Sequence, residues 1–169
     1  QIQINTTPVW QTASSTLATI NDNVSGTHAT VSATDADGGD TITYAESTSV
    51  LSGAGLTLNT SNGQITGDPT NVSANTTYTF GINATDGTDI VNRSFNIIVN
   101  KVLDGSTIAR ANTSAKAIYT LDNNVSAGVK YLTHNGTTYP IWCDFSQNSG
   151  WELIMSVNTA SPATASTYD

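Results

Sequence analysis

Apolar residues in this chain recur at every second position in short runs, and clusters of Asn, Asp, Gly and Ser separate each run from the next. Such alternation marks a strand with one buried face, and the turn-forming clusters mark its ends. Seven strands are predicted between residues 8 and 100. Leu17 to Ile20 is the first, ended by Asn21-Asp22-Asn23. His28 to Ala33 sets Ala29, Val31 and Ala33 on one face. Ile42 and Tyr44 alternate after the turn Asp35-Ala36-Asp37-Gly38-Gly39-Asp40. Leu56 and Leu58 lead to Asn62-Gly63, a hairpin dipeptide, and the chain returns through Ile65. Tyr78, Phe80, Ile82 and Ala84 form the clearest alternating face, and Phe95, Ile97 and Val99 repeat it after Asp86-Gly87-Thr88-Asp89. Short strands at this spacing, with no sustained helical period, imply an all-β Greek-key sandwich over 8–100.

The flanks read differently. Gln1-Ile2-Gln3-Ile4 alternates as Phe95 to Val99 does, and both run into Asn and a junction. Residues 1–7 are therefore expected to close a preceding repeat and link it to the sandwich. The chain opens in mid-strand without an initiator Met and stops on the run Ser161–Asp169, which implies a piece of a longer polypeptide. From Lys101 the composition changes. Asp104 to Ala111 is the segment predicted helical. Strands are expected at Ala117–Leu121, Val129–Leu132, Tyr139–Phe145 and Gly150–Ile154, with a turn at His134-Asn135-Gly136.

Residues 8–100 resemble the cadherin-like and putative-immunoglobulin repeats of bacterial and phage surface proteins. The resemblance rests on Pro8-Val9-Trp10, on Ala33-Thr34-Asp35-Ala36-Asp37-Gly38, on Leu56-Thr57-Leu58-Asn59 and on Gly63-Gln64-Ile65. Tyr78-Thr79-Phe80-Gly81-Ile82-Asn83-Ala84-Thr85-Asp86-Gly87 completes it. It implies a seven-stranded immunoglobulin- or cadherin-like sandwich. Residues 101–169 resemble the N-terminal part of fibrinogen-like C-terminal domains, through Ile118-Tyr119-Thr120, Ile141-Trp142-Cys143-Asp144 and Gly150-Trp151-Glu152-Leu153-Ile154. That implies a small, incomplete, mainly-β fragment with minor α content. The family's partner for Cys143 is missing, with only residues such as Gly105 upstream. The family's later, ligand-binding portion is absent too, so no binding residue carries over.

Composition adjusts this picture in three ways. Only 11% of residues are charged, and Thr, Ser, Asn and Gly carry solubility instead, which suits exposed strand faces and turns. Net charge is −8 with five basic residues scattered singly, so nothing supports nucleic-acid binding. No apolar run approaches the roughly 18 residues of a membrane span. A lone cysteine, Cys143, cannot form an internal disulfide, which favours folding in a reducing cytosol, as for a phage structural protein, or an exported bacterial surface protein. About ten Asn-x-Ser/Thr sequons are present, among them Asn5, Asn23, Asn71, Asn83 and Asn135.

Candidate chemistry is thin. Asp35, Asp37 and Asp40, with Asp86 and Asp89, lie in two turns that a sandwich can bring to one end, and Asp-x-Asp supplies the hard oxygen ligands calcium takes. The resemblance to cadherin repeats implies calcium at Asp35 and Asp37, and the second acidic turn adds Asp86 as a candidate ligand beside them. The bland alternative is that Asp and Gly simply make turns. His28 and His134 have no neighbouring nucleophile or metal partner. There is no Gly-x-Ser-x-Gly elbow, no phosphate loop and no placed carboxylate pair, so no catalytic residue is expected. Cys143 reads as a buried small apolar residue. Trp10, Trp142 and Trp151 suit core packing or docking, with sugar stacking as the alternative.

The expected function is therefore a non-enzymatic, structural and adhesive segment of a larger phage virion protein: a fibre, tail or capsid-decoration component. Its expected partners are other copies of itself in a homo-oligomer, neighbouring virion or surface proteins, and a host-surface glycan or protein receptor. The alternatives are a bacterial cell-surface adhesin with calcium-stiffened repeats and an extracellular carbohydrate-binding accessory module.

Overall fold

Alternation along the chain is realised most fully in two long strands, β8 (Thr76–Thr85) and β9 (Ile90–Asn100), which pair antiparallel along their whole length. Phe80, Ile82, Ala84, Phe95, Ile97 and Val99 are buried, while the intervening Thr79, Asn92 and Ser94 are exposed. The computed structural model describes residues 4–37, 39–122 and 124–145. The expected strand Gly150–Ile154, with Trp151, and the run Ser161–Asp169 lie outside them, as do Gln1 to Gln3. The chain folds as two compact units, Gln1–Lys101 and Val102–Asp169.

In the first unit the chain passes through β1 (Val9–Trp10), β2 (Thr16–Asn21), β3 (Gly26–Thr30), β4 (Ala33–Thr34), β5 (Thr43–Glu46), β6 (Leu56–Leu58) and β7 (Gln64–Gly67) before β8 and β9. One sheet has the order β2-β9-β8-β5 and the other β3-β7-β6, with β1 and β4 forming a short pair of their own. All pairings are antiparallel except β2 with β9, which run parallel from Thr16 opposite Asn96 to Asn21 opposite Asn100. The expected strand His28–Ala33 is split. β3 ends at Thr30, Val31 donates its N–H to Gly63 O at 3.0 Å, and Ala33 and Thr34 pair with β1 instead.

The core lies between the sheets. Trp10 stands edge-on to Phe95 with ring centroids 5.4 Å apart and lies 6.0 Å from Tyr44, whose hydroxyl accepts the Ala33 N–H. Val31, Leu51, Leu56, Ile65, Phe80 and Ile97 complete it, each contributing about 1.5–3 kcal/mol by burial. Arg93 occupies an inward position of β9, and its guanidinium is accommodated by donating to Thr12 O at 2.7 Å. Glu46 serves a purely structural end: its Oε1 accepts from Thr48 Oγ1 and from the N–H groups of Val50 and Leu51, closing the turn that follows β5.

The second unit holds the hairpin β10 (Gly128–His134) and β11 (Thr137–Cys143), a 3-10 turn Ile108–Arg110 and the helix α1 (Ala115–Leu121). Two sequence expectations are corrected here. Asp104 to Ala111 makes only that one turn, and Ala117–Leu121, read as a strand, lies in α1. Ser114 caps the helix by accepting the Ala117 N–H at 3.1 Å, and Ala115 and Ile118, three residues apart, are both buried. Ile118-Tyr119-Thr120 has strand-type side chains, but tertiary packing overrode that preference. Ala115, Ile118, Leu132, Cys143 and Phe145 form the core of this unit, with Tyr119 stacked on Phe145 at 6.2 Å. Buried Arg110 donates to Val102 O at 3.1 Å and Asn112 to Leu103 O at 2.6 Å, which anchors the segment leading to the helix.

Candidate functional site

The two acidic turns lie at the same pole of the sandwich. The turn 86–89 joins β8 to β9. Asp86 Oδ1 accepts the N–H groups of Thr88 and Asp89, each at 2.7 Å, and Gly87 takes the left-handed φ of +101° that the bend requires. Between β4 and β5, Asp35 Oδ1 accepts the Asp37 N–H at 2.7 Å in an Asx turn. Asp35, Asp37 and Asp40 each place a ligand oxygen within 4.8 Å of the others. The other carboxylate oxygen of Asp35, Oδ2, is buried and accepts no hydrogen bond among the described residues.

What ties the turns together is the entering chain. Asn5 Nδ2 donates to Asp86 Oδ2 at 3.1 Å and to Asp89 Oδ2 at 2.9 Å, and Thr7 Oγ1 donates to Asp89 Oδ2 at 3.3 Å. Thr6 donates its N–H and its hydroxyl to Asp37 Oδ2. Residues 5–7 thus strap both turns, a role beyond the linker that the sequence suggests. Nothing in Asn5-Thr6-Thr7 announces this, because Asn and Thr occur throughout the chain. The Asp86 carboxyl is held below the ordinary aspartate range, chiefly by the Asp89 and then the Thr88 N–H, with a smaller contribution from Asn5.

Chemically, the pole presents carboxylates gathered by loop geometry, a donor set of the kind a hard cation takes. The orphaned Oδ2 of Asp35 fits such an ion. The outer oxygens of Asp37, Asp86 and Asp89 already receive protein donors, so an ion binding there must exchange with Asn5 and Thr6. Asp35, Asp37 and Asp40 are brought together by their own turn, whereas Asp86 and Asp89 reach that group through the strap.

The remaining candidates disperse. His28 sits at a bulge in β3 with Nε2 3.1 Å from Gly67 O, and His134 is exposed at the start of a hairpin turn. Cys143 is fully buried. Trp10 belongs to the sandwich core and Trp142 is 45% exposed on β11. No described helix is long and apolar enough to cross a membrane.

The family model described as Putative Ig domain matches residues 5–100. No curated protein matches the chain. Among solved structures, Drosophila N-cadherin EC1-4 matches with TM-score 0.51 and 12% identity, over 82% of this chain and 34% of that one. Protocadherin Gamma B7 extracellular cadherin domains 1-4 match with TM-score 0.50 and 18% identity, over 86% and 34%. Human Protocadherin-24 EC1-2 gives TM-score 0.49 and 16% identity, over 87% and 64%. This chain thus spans about a third of the length of the first two. At such identities the likeness shows the fold alone: an all-β, cadherin- and immunoglobulin-like sandwich. The fibrinogen-like resemblance of 101–169 and the phage setting have no counterpart in these matches.

Proposed function

The chain belongs to the Putative Ig domain family, and we propose that its sandwich is a load-bearing spacer in a structural and adhesive protein. The observation that carries this is the path of the chain through the first unit. It enters at the pole where Asn5 meets Asp86 and Asp89, and leaves beyond Asn100, at the far end of β9. Eleven residues of β9 separate the two poles by about 35 Å, at roughly 3.3 Å per residue. At the exit, Asn100 O accepts the Asp22 N–H at 3.0 Å and Asn75 Oδ1 accepts the Lys101 N–H at 2.9 Å. Tension between entry and exit pulls parallel β2 and β9 along their length in opposite directions, so their ladder is loaded as a set and not one bond at a time.

The finer reading is a phage virion protein, a fibre, tail or capsid-decoration component, in which such spacers project attachment modules and many weak contacts add by multivalency. The lone Cys143 and the Lys-poor, Thr/Asn/Ser-rich surface support it. Residues 101–169 would then supply a fibrinogen-like attachment module for a host-surface glycan or protein receptor, on the strength of their aromatic-Cys-Asp segment. The second reading, a bacterial surface adhesin stiffened by calcium at Asp35, Asp37 and Asp86, is favoured by the gathered carboxylates and the orphaned oxygen of Asp35.

Single-molecule pulling tests the spacer role. Handles at Asn5 and Lys101 load β2 against β9 in shear, whereas handles at Asn75 and Lys101 unzip β8 from β9 within the same fold. The first geometry is expected to rupture at the higher force, and equal forces would remove the mechanical argument. Gene neighbourhood separates the settings, with capsid and tail genes supporting the virion and secretion genes the adhesin.

A further inference from the structure

We propose that Asn135, at the tip of the β10–β11 hairpin, is a site of spontaneous covalent modification that converts it to aspartate or isoaspartate. The chain contains two Asn-Gly dipeptides, Asn62-Gly63 and Asn135-Gly136, and the fold treats them oppositely. In this reaction the backbone nitrogen of the glycine attacks the Asn side-chain carbon Cγ. The Cγ–Nδ2 bond breaks, and ammonia leaves with the proton from the peptide nitrogen. Water then opens the resulting succinimide at either carbonyl. No oxidant or cofactor enters, and each event replaces a neutral amide by a carboxylate. The step needs a glycine nitrogen that is free to move and a side-chain amide that is not held.

Asn135-Gly136 meets both needs. The pair forms the two-residue loop between His134 and Thr137, which face each other at the end of the ladder. Both residues are exposed, with φ of +48° at Asn135 and +78° at Gly136. Nothing lies within 4 Å of the place a Gly136 side chain would occupy. Among the described residues the Gly136 N–H donates to no acceptor and the Asn135 amide has no partner.

Asn62-Gly63 is locked on every count. The Gly63 N–H donates to Asn59 O at 3.0 Å. Asn62 Oδ1 accepts the Gln64 N–H at 3.0 Å, and Asn62 Nδ2 donates to Gln64 Oε1 at 3.3 Å. Gly63 also lies so close to the neighbouring backbone that a Cβ there would be 2.2 Å from Val31 O. Attack at Asn62 therefore requires local opening of the first unit, while attack at Asn135 requires only motion of a hairpin tip.

Isoaspartate would also have a structural effect at Asn135. It adds a backbone atom to a two-residue turn, and turn length fixes the register of a hairpin. That register sets Thr133 against Thr138, whose hydroxyls are 2.8 Å apart, and buries Leu132. The change also destroys the Asn135-Gly136-Thr137 sequon.

The test is to incubate the full chain at mildly alkaline pH, native and in strong urea, and follow both sites by peptide mapping with isoaspartate detection. In the native chain, Asn135 is expected to convert roughly fivefold or more faster than Asn62, the factor that one hydrogen bond of ordinary net strength carries. In urea the two rates are expected to converge. Equal native rates, or Asn62 converting first, overturn the proposal. A native difference that persists unchanged in urea also overturns it, because the selectivity would then be local sequence and not fold.

Discussion

Thr6 donates both its backbone N–H and its hydroxyl to one oxygen, Oδ2 of Asp37, at 2.6 and 2.7 Å. Thirty-one positions separate the two residues, and the contact fastens the entering chain to the turn after β4. With Asn5 on Asp86 and Asp89, it makes the entry pole a strapped junction.

Thr6→Val keeps the shape and the backbone donor but removes the hydroxyl. The contact is exposed, so the expected loss is about 1 kcal/mol in urea unfolding of the sandwich. Asp37→Ala, which removes the acceptor for both donors, should cost more than Thr6→Val. The reverse order would mean that the strap does not depend on Asp37.

On the calcium-stiffened reading, calcium raises the Tm of the first unit, because an ion that binds only the folded state stabilises it by mass action. Chelator should reverse the rise, and Asp35→Asn with Asp37→Asn should abolish it. An unchanged Tm across millimolar-range calcium would dispose of the calcium-stiffened reading.

Asp86 gives a pH signature. Its folded-state pKa is depressed, so its stabilising contribution is fully present above the unfolded value, about 3.9 for aspartate, and is lost as pH falls through the lower folded value. Stability measured by denaturant melts should therefore decline below about pH 4, and Asp86→Asn should flatten that decline. An equally steep acid limb in the variant would assign the decline to other carboxylates.

Gly63→Ala is expected to destabilise the sandwich by about 3 kcal/mol or more, since a strained φ of +70° is combined with a Cβ driven into Val31 O. Gly87→Ala, also at positive φ but with open space around it, should cost clearly less. Chemical denaturation of the pair checks the order.

Ser114→Ala removes the cap of α1 and should cost about 1 kcal/mol, with Ser114→Asp restoring it. Circular dichroism in the helical region and a melt of the second unit report both variants.

How much of this is legible in the sequence varies with the source of the constraint. The period-two face of Phe80, Ile82, Ala84, Phe95, Ile97 and Val99 is a property of consecutive residues, and every one of them is buried as the alternation predicts. Asn62-Gly63 marks a hairpin correctly, although the loop is longer than the dipeptide: Asn59 Oδ1 accepts from Ser61 and Asn62, and Gly63 N–H closes back on Asn59 O. The helix at Ala115–Leu121 reads as a strand because the β-branched and aromatic side chains of Ile118-Tyr119-Thr120 outweigh a single cap. That cap becomes decisive only once Ala115 and Ile118 have a core to enter.

The entry pole divides the same way. Asp35 and Asp37 sit two residues apart and shape their own turn, and Asp86 and Asp89 do likewise, so sequence alone determined two acidic turns and the alternating strands that carry them. Only the tertiary structure set the parallel register of β2 on β9, brought Asn5 and Thr6 onto those carboxylates, and split the strand after Thr30 between two partners. The bonds of the entering chain join positions 31 to 84 residues apart. They are uncharged donors meeting common acceptors, which in a chain rich in Thr, Asn and Ser mark no residue out until the fold has chosen its neighbours.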